Sequence, residues 1–258
     1  MPKISACIIS YNEEKKIGDC LASLVSVVDE IIVVDSFSTD RTLEIASRFT
    51  DKIYQHEFEG YVKQKRFAVE KASYDWILNL DCDERLDERL AASVLEHKET
   101  LEKASAYRMS RKTFYVYRWL EYCWQPDYKI RLFHRQKANW VGEAVHEKVE
   151  VREGRTETMV GCILHYSFDS ISDHLKTIDA YTEIGAREII ARGNRVSIIS
   201  PITHGFWTFF RMFVLRRGFL DGFAGMVVSV LSGMHSFVKY CKVILFRKAS
   251  LVEKPNNR

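Results

Sequence analysis

The chain has 258 residues, of which 47% are apolar and 28% are charged, and its formal net charge at pH 7 is +3. This globular composition and length fit one large α/β domain, or one domain with an appendage. The six cysteines include no Cys-x-x-Cys pair, which argues against a zinc site or a disulfide framework and favours free thiols in a reducing compartment. The N-terminal apolar run is too short for a signal peptide core, so a cytosolic chain is expected.

The charge is unevenly distributed along the chain. From Gly205 to the end there are nine basic and two acidic residues, whereas residues 1–204 hold 29 basic and 33 acidic residues. A slightly acidic body therefore carries a C-terminal segment of net charge +7. This asymmetry predicts an anionic partner for the segment, such as a membrane surface or a nucleic acid.

Apolar strands and amphipathic helices alternate up to about Lys103. The predicted strands are KISACIIS, EIIVVDSFS, DKIYQHEF and DWILNL, and YNEEKKIGDCLASLVSVV and YVKQKRFAVEKA have apolar residues at helical spacing. Asp40 is the expected N-cap of the helix after the second strand. Alternation at this pace predicts a parallel sheet covered on both faces.

The character of the chain changes after Lys103. Aromatic and β-branched residues predict mixed or antiparallel strands with long loops, and MVGCILHYSF is one more strand. SISDHLKTIDAYTEIGAREIIARG predicts a helix that ends at Gly193. We expect an α/β domain over residues 1–200 and a basic, apolar helical tail over residues 201–258.

Polar residues follow three of the predicted strands, as Ser10-Tyr11-Asn12-Glu13, Asp35-Ser36 and Asp81-Cys82-Asp83. Ligands of such sheets bind beyond the carboxyl ends of the strands, so these clusters should converge on one crevice. Carboxylates at positions i and i+2 of an extended segment point to the same side and repel each other unless a cation or a proton lies between them. Mg²⁺ or Mn²⁺ held by the two aspartates and by phosphate oxygens fits this pattern, and a cap of the next helix is the alternative.

Other phosphate-binding folds fit less well. No Gly-x-Gly-x-x-Gly follows the first strand, and no Gly-x-x-x-x-Gly-Lys-[Ser/Thr] motif is present. A phosphatase of the haloacid dehalogenase type also carries Asp-x-Asp at a strand end, but usually at the first strand. Here the pair ends the fourth strand and is followed by Glu84 and Arg85. The pattern therefore favours a metal-held nucleoside diphosphate.

Four motifs occur in the order ACIISYNEEKKI, EIIVVDSFSTDRT, KQKRFA and WILNLDCDER. In these motifs the chain resembles a family 2 glycosyltransferase with one nucleotide-sugar-binding domain of the GT-A type. WQPDYKIRLFHR, WVGEAVHE, LHYSF and GFLDGFAG are similar to segments of bacterial lipopolysaccharide inner-core glucosyltransferases. The resemblance covers nearly the whole chain. It implies a UDP-sugar or related donor and inversion at the anomeric carbon.

The resemblance also implies roles for individual residues. Asp35 would contact the base or ribose, Asp81 the ribose, the sugar or the metal, and Asp83 the metal. The late His165 would bind the metal or the diphosphate, or be structural. The remaining donor contacts are the nucleoside pocket residues Ser10, Tyr11, Asn12 and Glu13 and the diphosphate or nucleoside ligands Lys65 and Arg66.

Inversion needs a base that takes the proton of the acceptor hydroxyl. The segment WVGEAVHEKV offers Glu143, His146 and Glu147, and the resemblance favours Glu147, with His146 orienting it or contacting the acceptor. A solvated strand residue is the alternative for Glu147. Arg131 and Arg135 are candidates for binding acceptor phosphates, or are surface charges.

The tail segment GFLDGFAGMVVSVLSGMHSFV has the length of a membrane span, but Asp221, His235 and four glycines argue against one. Flanking lysines and arginines favour helices that lie on anionic lipid, and packing on the body is the alternative. The predicted protein is an inverting, Mg²⁺- or Mn²⁺-dependent enzyme at the inner face of the cytoplasmic membrane. It would move a hexose, expected to be glucose, from a UDP-sugar to a lipid-linked acceptor, expected to be inner-core heptose, with no nucleic acid partner. The alternatives are a polyprenyl phosphate or another glycan as acceptor, or a non-catalytic nucleotide-sugar-binding module.

Overall fold

The structure of the chain, a computed structural model, describes residues 1–142 and 147–252. The chain forms two compact units. The first comprises Met1–Thr113 and Pro126–Ser167, and the second comprises Phe114–Gln125 and Phe168–Arg258. A loop that leaves the first unit between two strands thus belongs to the same unit as the C-terminal helices.

Four parallel strands begin the first unit. They are β1 (Ile4–Ser10), β2 (Glu30–Asp35), β3 (Ile53–Gln55) and β4 (Trp76–Asp81), in the spatial order β3-β2-β1-β4. The connecting helices are α1 (Ile17–Ala22), α2 (Thr42–Ala46) and α3 (Tyr61–Lys71). Nearly every position of β1 and β2 is buried, because helices cover both faces of the sheet. The predicted alternation of strands and helices is confirmed.

Antiparallel strands continue the same sheet beyond β4. The next elements are β5 (Glu84–Leu86), α4 (Glu88–His97), a 3₁₀ turn (Lys98–Lys103), β6 (Ala106–Tyr115), β7 (Arg118–Trp119), β8 (Tyr128–His134), β9 (Ala138–Val141), β10 (Lys148–Val151) and β11 (Thr156–Phe168). The full order is β3-β2-β1-β4-β8-β6-β11-β5, while β7 pairs with β6, and β9 and β10 form a separate two-stranded sheet. The predicted mixed α/β fold is confirmed.

Side chains of alternate residues in β4 enter two different cores. Trp76, Leu78 and Leu80 pack under α1 and α4, and Ile77 packs on the other face with side chains of α3. This period of two is what a strand buried on both faces requires. The strand ends are thereby fixed in register, which positions the polar residues that follow them.

Three helices dominate the second unit: α5 (Ile171–Ala191), α6 (Ser200–Phe210) and α7 (Gly222–Val252). A π-helical turn (Arg211–Leu215) and a 3₁₀ turn (Gly218–Asp221) connect α6 to α7. The two helices approach closely at glycines, since a Cβ on Gly205 would lie 3.2 Å from the carbonyl oxygen of Gly233. Within residues 1–142 and 147–252 there is no helix with the length and apolar character that crossing a bilayer requires.

The compact units differ from the predicted boundary at residue 200. Helix α5 belongs with the C-terminal helices because it packs against α7, where Lys242 Nζ lies 2.7 Å from a carboxylate oxygen of Asp179. The loop Phe114–Gln125 joins them through Asp221, which accepts hydrogen bonds from three of its backbone amides. Sequence periodicity gave no sign of either contact.

Candidate active site

The three predicted polar clusters lie along one edge of the sheet. Ser10 pairs with Asp35 across β1 and β2, and Ile9 pairs with Asp81 across β1 and β4. Because these strands are parallel, their carboxyl ends meet at the same edge. The strand register thus brings together residues that are far apart in the chain.

The loop after β1 is pinned to the loop after β2. Asp35 is fully buried and accepts hydrogen bonds from Ser10 Oγ at 2.9 Å and from the backbone amide of Ser38 at 2.8 Å. Asn12 has a φ of 53°, and its Oδ1 accepts the amide of Thr39 at 2.8 Å. Asparagine tolerates this left-handed conformation because its short polar side chain can bond locally.

Tyr11 lies within this pinned corner and leaves 60% of its surface exposed. The backbone amide of Glu13 donates to Thr42 Oγ1 at 2.7 Å, so the residue after Asn12 is tied to the start of α2. The corner therefore offers an exposed ring on a fixed backbone. Contacts of these residues with a nucleoside stay predictions.

Asp81 is held by two cations. Its Oδ1 lies 2.9 Å from Lys65 Nζ and its Oδ2 lies 2.6 Å from Arg131 Nη2. Burial acts to raise the pKa of Asp81, but the guanidinium of Arg131 and the ammonium of Lys65 outweigh it and hold the pKa well below its usual value. Asp81 is therefore ionised at neutral pH.

Glu84 extends this ionic network into the interior. Its side chain is fully buried, and its Oε1 lies 2.7 Å from Arg131 Nη2 and 3.1 Å from Arg111 Nη1. Its Oε2 accepts the backbone amide of Asp81 at 3.1 Å. Arg111 also contacts Asp127 at 2.7 Å. The network fixes both the side chain and the backbone of Asp81.

Asp83 lies beside His165, with 3.2 Å between Asp83 Oδ2 and His165 Nε2. The pairing of β11 with β5 brings them together, because His165 is the direct partner of Glu84. Burial acts to raise the pKa of Asp83, but the neighbouring imidazole outweighs it and the pKa lies below its usual value. Two of the predicted metal ligands are thus adjacent.

A divalent cation fits this pair if other ligands complete its coordination. Among the described residues, no group of three or more His, Cys, Asp and Glu side chains is arranged to hold a metal. Mg²⁺ and Mn²⁺ commonly take one or two carboxylates and fill the remaining positions with water and substrate phosphate. The ionised Asp83 supplies the hard oxygen ligand, so the donor set suits a metal that arrives with a diphosphate.

Glu147 is a second carboxylate close to the ammonium of Lys65. Its Oε1 is 3.4 Å from Lys65 Nζ, and its side chain is 21% exposed. The ammonium of Lys65 also lies over the ring of Trp140, 4.4 Å from its centre. Glu147 is therefore within reach of the aspartate cluster. Glu143 and His146, the other predicted base and its partner, lie outside the described residues.

The two predicted acceptor arginines occupy different places. Arg131 is 4% exposed and contacts Asp81 and Glu84, so it is part of the buried network instead of a surface phosphate ligand. Arg135 contacts Asp75, which precedes β4, and so lies at the opposite edge of the sheet from Asp81. The acceptor role predicted for Arg135 does not fit this position. Arg66 donates to the backbone oxygen of Trp140 at 2.8 Å instead of pointing at the aspartates.

Sequence reasoning missed the parts played by Glu84, Arg111 and Trp140. Arg131 Nε and Trp140 Nε1 are buried and have no hydrogen-bond partner among the described residues. Such unpaired donors beside a charged cluster are unusual in folded proteins. A charged residue within an apolar strand, as in YKIRLFH, was the available signal that Arg131 pairs with a buried carboxylate.

The mixed sheet, with acidic side chains at the ends of its parallel strands, is an α/β fold of the GT-A type. A family model described as glycosyl transferase family 2 matches residues 5–154, which is more than half of the chain. The chain therefore belongs to glycosyltransferase family 2 and is a glycosyltransferase. The resemblance stated from the motifs is confirmed.

The chain is similar over nearly its whole length to bacterial relatives. An uncharacterized glycosyltransferase of Rickettsia typhi is 30% identical, over 94% of this chain and 87% of the relative. A protein of Rhizobium meliloti named lipopolysaccharide core biosynthesis glycosyltransferase LpsC is 27% identical, over 99% of this chain and 97% of the relative. Among solved structures, residues 1–349 of TarS from Staphylococcus aureus align with 15% identity and a TM-score of 0.48, over 99% of this chain and 93% of that one.

Proposed function

We propose that this enzyme is an inverting, metal-dependent hexosyltransferase that uses a UDP-sugar, with glucose as the expected sugar. The observation that carries the proposal is the ionised Asp83 3.2 Å from His165, at the sheet edge that also holds Asp81. A divalent metal bound there would neutralise the charge that develops on the departing diphosphate. Tyr11 and Asn12 are the proposed contacts of the nucleoside, and the fully buried Asp35, for which a direct contact was predicted, instead holds their loop in place.

Transfer with inversion is a single displacement. The acceptor oxygen attacks the anomeric carbon, the bond from that carbon to the diphosphate oxygen breaks, and its electron pair leaves with the diphosphate. The acceptor's hydroxyl proton must pass to a base on the opposite face of the sugar. We assign this role to Glu147, which shares the ammonium of Lys65 with Asp81 and so lies near the donor side of the site.

The proposed acceptor is a lipid-linked glycan, with inner-core heptose of lipopolysaccharide as the expected sugar. The similarity to the Rhizobium meliloti relative over nearly the full length of both chains supports this choice. A lipid-linked acceptor presents its sugar at a membrane surface. The proposal therefore includes a peripheral location at the inner face of the cytoplasmic membrane, which the net charge of +7 from Gly205 onward supports.

A thermal-shift panel of nucleotide sugars, with and without Mn²⁺, tests the donor and the metal. A ligand that binds only the folded protein must raise its melting temperature, so UDP-sugars with Mn²⁺ should raise it more than GDP- or CDP-sugars do. Asp83→Asn should remove the part of the rise in melting temperature that depends on Mn²⁺. Asp51 is an exposed aspartate of the same unit, and Asp51→Asn should keep that part. A larger shift with GDP-sugars would overturn the uridine assignment. Full metal-dependent transfer by Asp83→Asn would overturn the metal assignment.

Sugar transfer by Glu147→Gln tests the base. The substitution keeps the shape of the side chain but cannot accept the proton, so transfer should fall by about a hundredfold or more while the UDP-sugar shift persists. Glu150→Gln, at an exposed position of β10, is the matched control and should transfer normally. Normal transfer by Glu147→Gln with an inactive Glu143→Gln would move the role to Glu143. A chain that binds donor but transfers no sugar to any glycolipid acceptor would be a binding module.

A further inference from the structure

One buried carboxylate joins two separate segments of the second unit into a single surface. Asp221 is fully buried, and it accepts backbone hydrogen bonds from Glu121 at 2.8 Å, Tyr122 at 3.0 Å and Cys123 at 2.8 Å. These amides are about 100 residues away along the chain. The loop Phe114–Gln125 and the turn between α6 and α7 are therefore held side by side.

A second contact extends this junction. Gly222 has a φ of 63°, and a Cβ at this position would lie 3.3 Å from Arg118 Nη1. Arg216 Nη1 donates to the backbone oxygen of Gln125 at 2.9 Å. Arg118 within the loop and Gln125 at its end thus lie against the start of α7 and the turn before it, so loop and turn belong to one region of the second unit.

Large apolar side chains project from this region. Its most exposed members are Tyr117 (60%), Leu215 (56%), Phe219 (49%), Leu220 (47%) and Phe223 (65%). These five residues are called the tip surface. Folded monomers rarely expose apolar side chains of this size in a group, and such groups mark interaction sites.

The charges around the tip surface are mainly positive. Arginines occur at positions 118, 211, 216 and 217, and Glu121 is the exposed acidic residue of the loop. Asp221 is the one acidic residue between positions 195 and 249, and it is buried and engaged by backbone amides. A surface that combines aromatic side chains with arginines complements an anionic bilayer, whose headgroups attract the cations and whose interface accepts the rings.

We propose that the tip surface is the site that docks the enzyme on anionic lipid. This docking site rests on the proposed function, because a lipid-linked acceptor requires the enzyme to reach a membrane surface. Leu215, Phe219 and Phe223 enter the interfacial region of the bilayer, while the exposed Arg211 and Arg217 contact lipid phosphates. Asp221 serves as the internal anchor that keeps loop and turn together.

The test is co-sedimentation of the full-length protein with two kinds of vesicle. Vesicles of phosphatidylcholine with phosphatidylglycerol should bind the protein at low salt and release it at high salt, and vesicles of phosphatidylcholine alone should bind it weakly. Arg211→Gln/Arg217→Gln should lower partitioning to the anionic vesicles by about 30-fold. Phe219→Ser/Phe223→Ser should lower it by at least about tenfold.

Matched controls come from the first unit. Val160→Ser, at a position 69% exposed, and Arg48→Gln, whose side chain is 60% exposed, should bind vesicles like the unchanged protein. The shift of melting temperature caused by a UDP-sugar with Mn²⁺ verifies that each variant is folded, and it reports on the donor site independently of lipid. Loss of vesicle binding with a normal shift in both tip variants would support the proposal.

Three results would overturn the docking proposal. The first is that the unchanged protein fails to bind anionic vesicles. The second is that the tip variants bind them as well as the controls do. The third is that the tip variants abolish self-association in gel filtration without changing vesicle binding. The last result would identify the tip surface as a protein interface. A chain that binds vesicles through the tip surface but shows no shift with any UDP-sugar would instead overturn the proposed donor and leave the docking site in place.

Discussion

Replacing Glu84 by glutamine should strongly destabilise the first unit. The buried carboxylate contacts Arg131 at 2.7 Å and Arg111 at 3.1 Å, and it also accepts the amide of Asp81 at 3.1 Å. Glutamine keeps the shape but removes the charge, which leaves two guanidinium groups without a shared carboxylate. Breaking a buried ion pair costs roughly 3–5 kcal/mol, because the remaining charge stays out of water.

The loss should be nearer the lower value, about 3 kcal/mol. Arg131 keeps Asp81 at 2.6 Å and Arg111 keeps Asp127 at 2.7 Å, so neither cation is left without a counter-charge. For a chain of this length, about 3 kcal/mol corresponds to a fall in melting temperature of roughly 6–12 °C. Urea unfolding and thermal unfolding, both followed by circular dichroism, measure the two quantities.

Glu70→Gln is the control for this experiment, since Glu70 is exposed on α3 and its charge can be removed at little cost. Arg111→Met in the Glu84→Gln background should cost less than Arg111→Met alone, because the partner has already been removed. If Glu84→Gln unfolds within about 0.5 kcal/mol of the unchanged protein, the network does not stabilise the site as argued. Equal costs of Arg111→Met in both backgrounds would lead to the same conclusion.

Three further predictions concern stability. Burial acts to raise the pKa of Glu30, but hydrogen bonds from a lysine and two serines lower it to about 2. Glu30→Gln should therefore lower the free energy of unfolding by about 2 kcal/mol at pH 7. Urea unfolding should show that this difference disappears as the pH falls from 4.5 to 2. Burial, together with a second histidine, lowers the pKa of His174 to about 4. Between pH 6.5 and 4 the unfolded chain therefore binds more protons than the folded one, and the free energy of unfolding of the second unit should fall by up to about 3 kcal/mol. His174→Phe should reduce this dependence on pH. Gly161 has a φ of 100°, and a Cβ there would lie 2.3 Å from the amide nitrogen of Leu90, whereas Gly60 has a φ of 108° and a Cβ there would meet nothing within 4 Å. Both alanine variants are strained, but Gly161→Ala also clashes and should lower the melting temperature far more than Gly60→Ala does.

Local patterns were sufficient to predict the parallel part of the sheet and the acidic edge. Strands such as EIIVVD are buried at every position, and in a parallel sheet the polar residue after each strand must lie at the same edge. The helix over residues 171–191 and its end near Gly193, whose φ is 69°, were predicted for the same reason, since both signals are local.

Contacts between distant segments could not be predicted in this way. Lys65 and Glu147 are 82 residues apart, and their approach depends on which strands are neighbours in the sheet. In the sequence, the charge of Asp221 argues against a membrane span; in the structure, Asp221 also accepts hydrogen bonds from backbone amides of a distant loop. Backbone amides carry no signature in the sequence, so neither this contact nor the membership of the loop in the second unit was visible.

The structure separates the roles of the two aspartates that the sequence presents as a pair. Both oxygens of Asp81 already contact cations, at 2.9 Å to Lys65 and at 2.6 Å to Arg131, so a metal would have to compete with them or use the remaining lone pairs. Asp83 contacts the imidazole of His165, which in its neutral form is itself a metal ligand. A cation that approaches Asp83 therefore meets an imidazole that can become its second ligand, whereas one that approaches Asp81 meets an ammonium and a guanidinium that cannot. This difference between the two neighbourhoods is the physical reason to propose Asp83 as the first ligand of the metal, and to propose that Asp81 orients Lys65 beside Glu147.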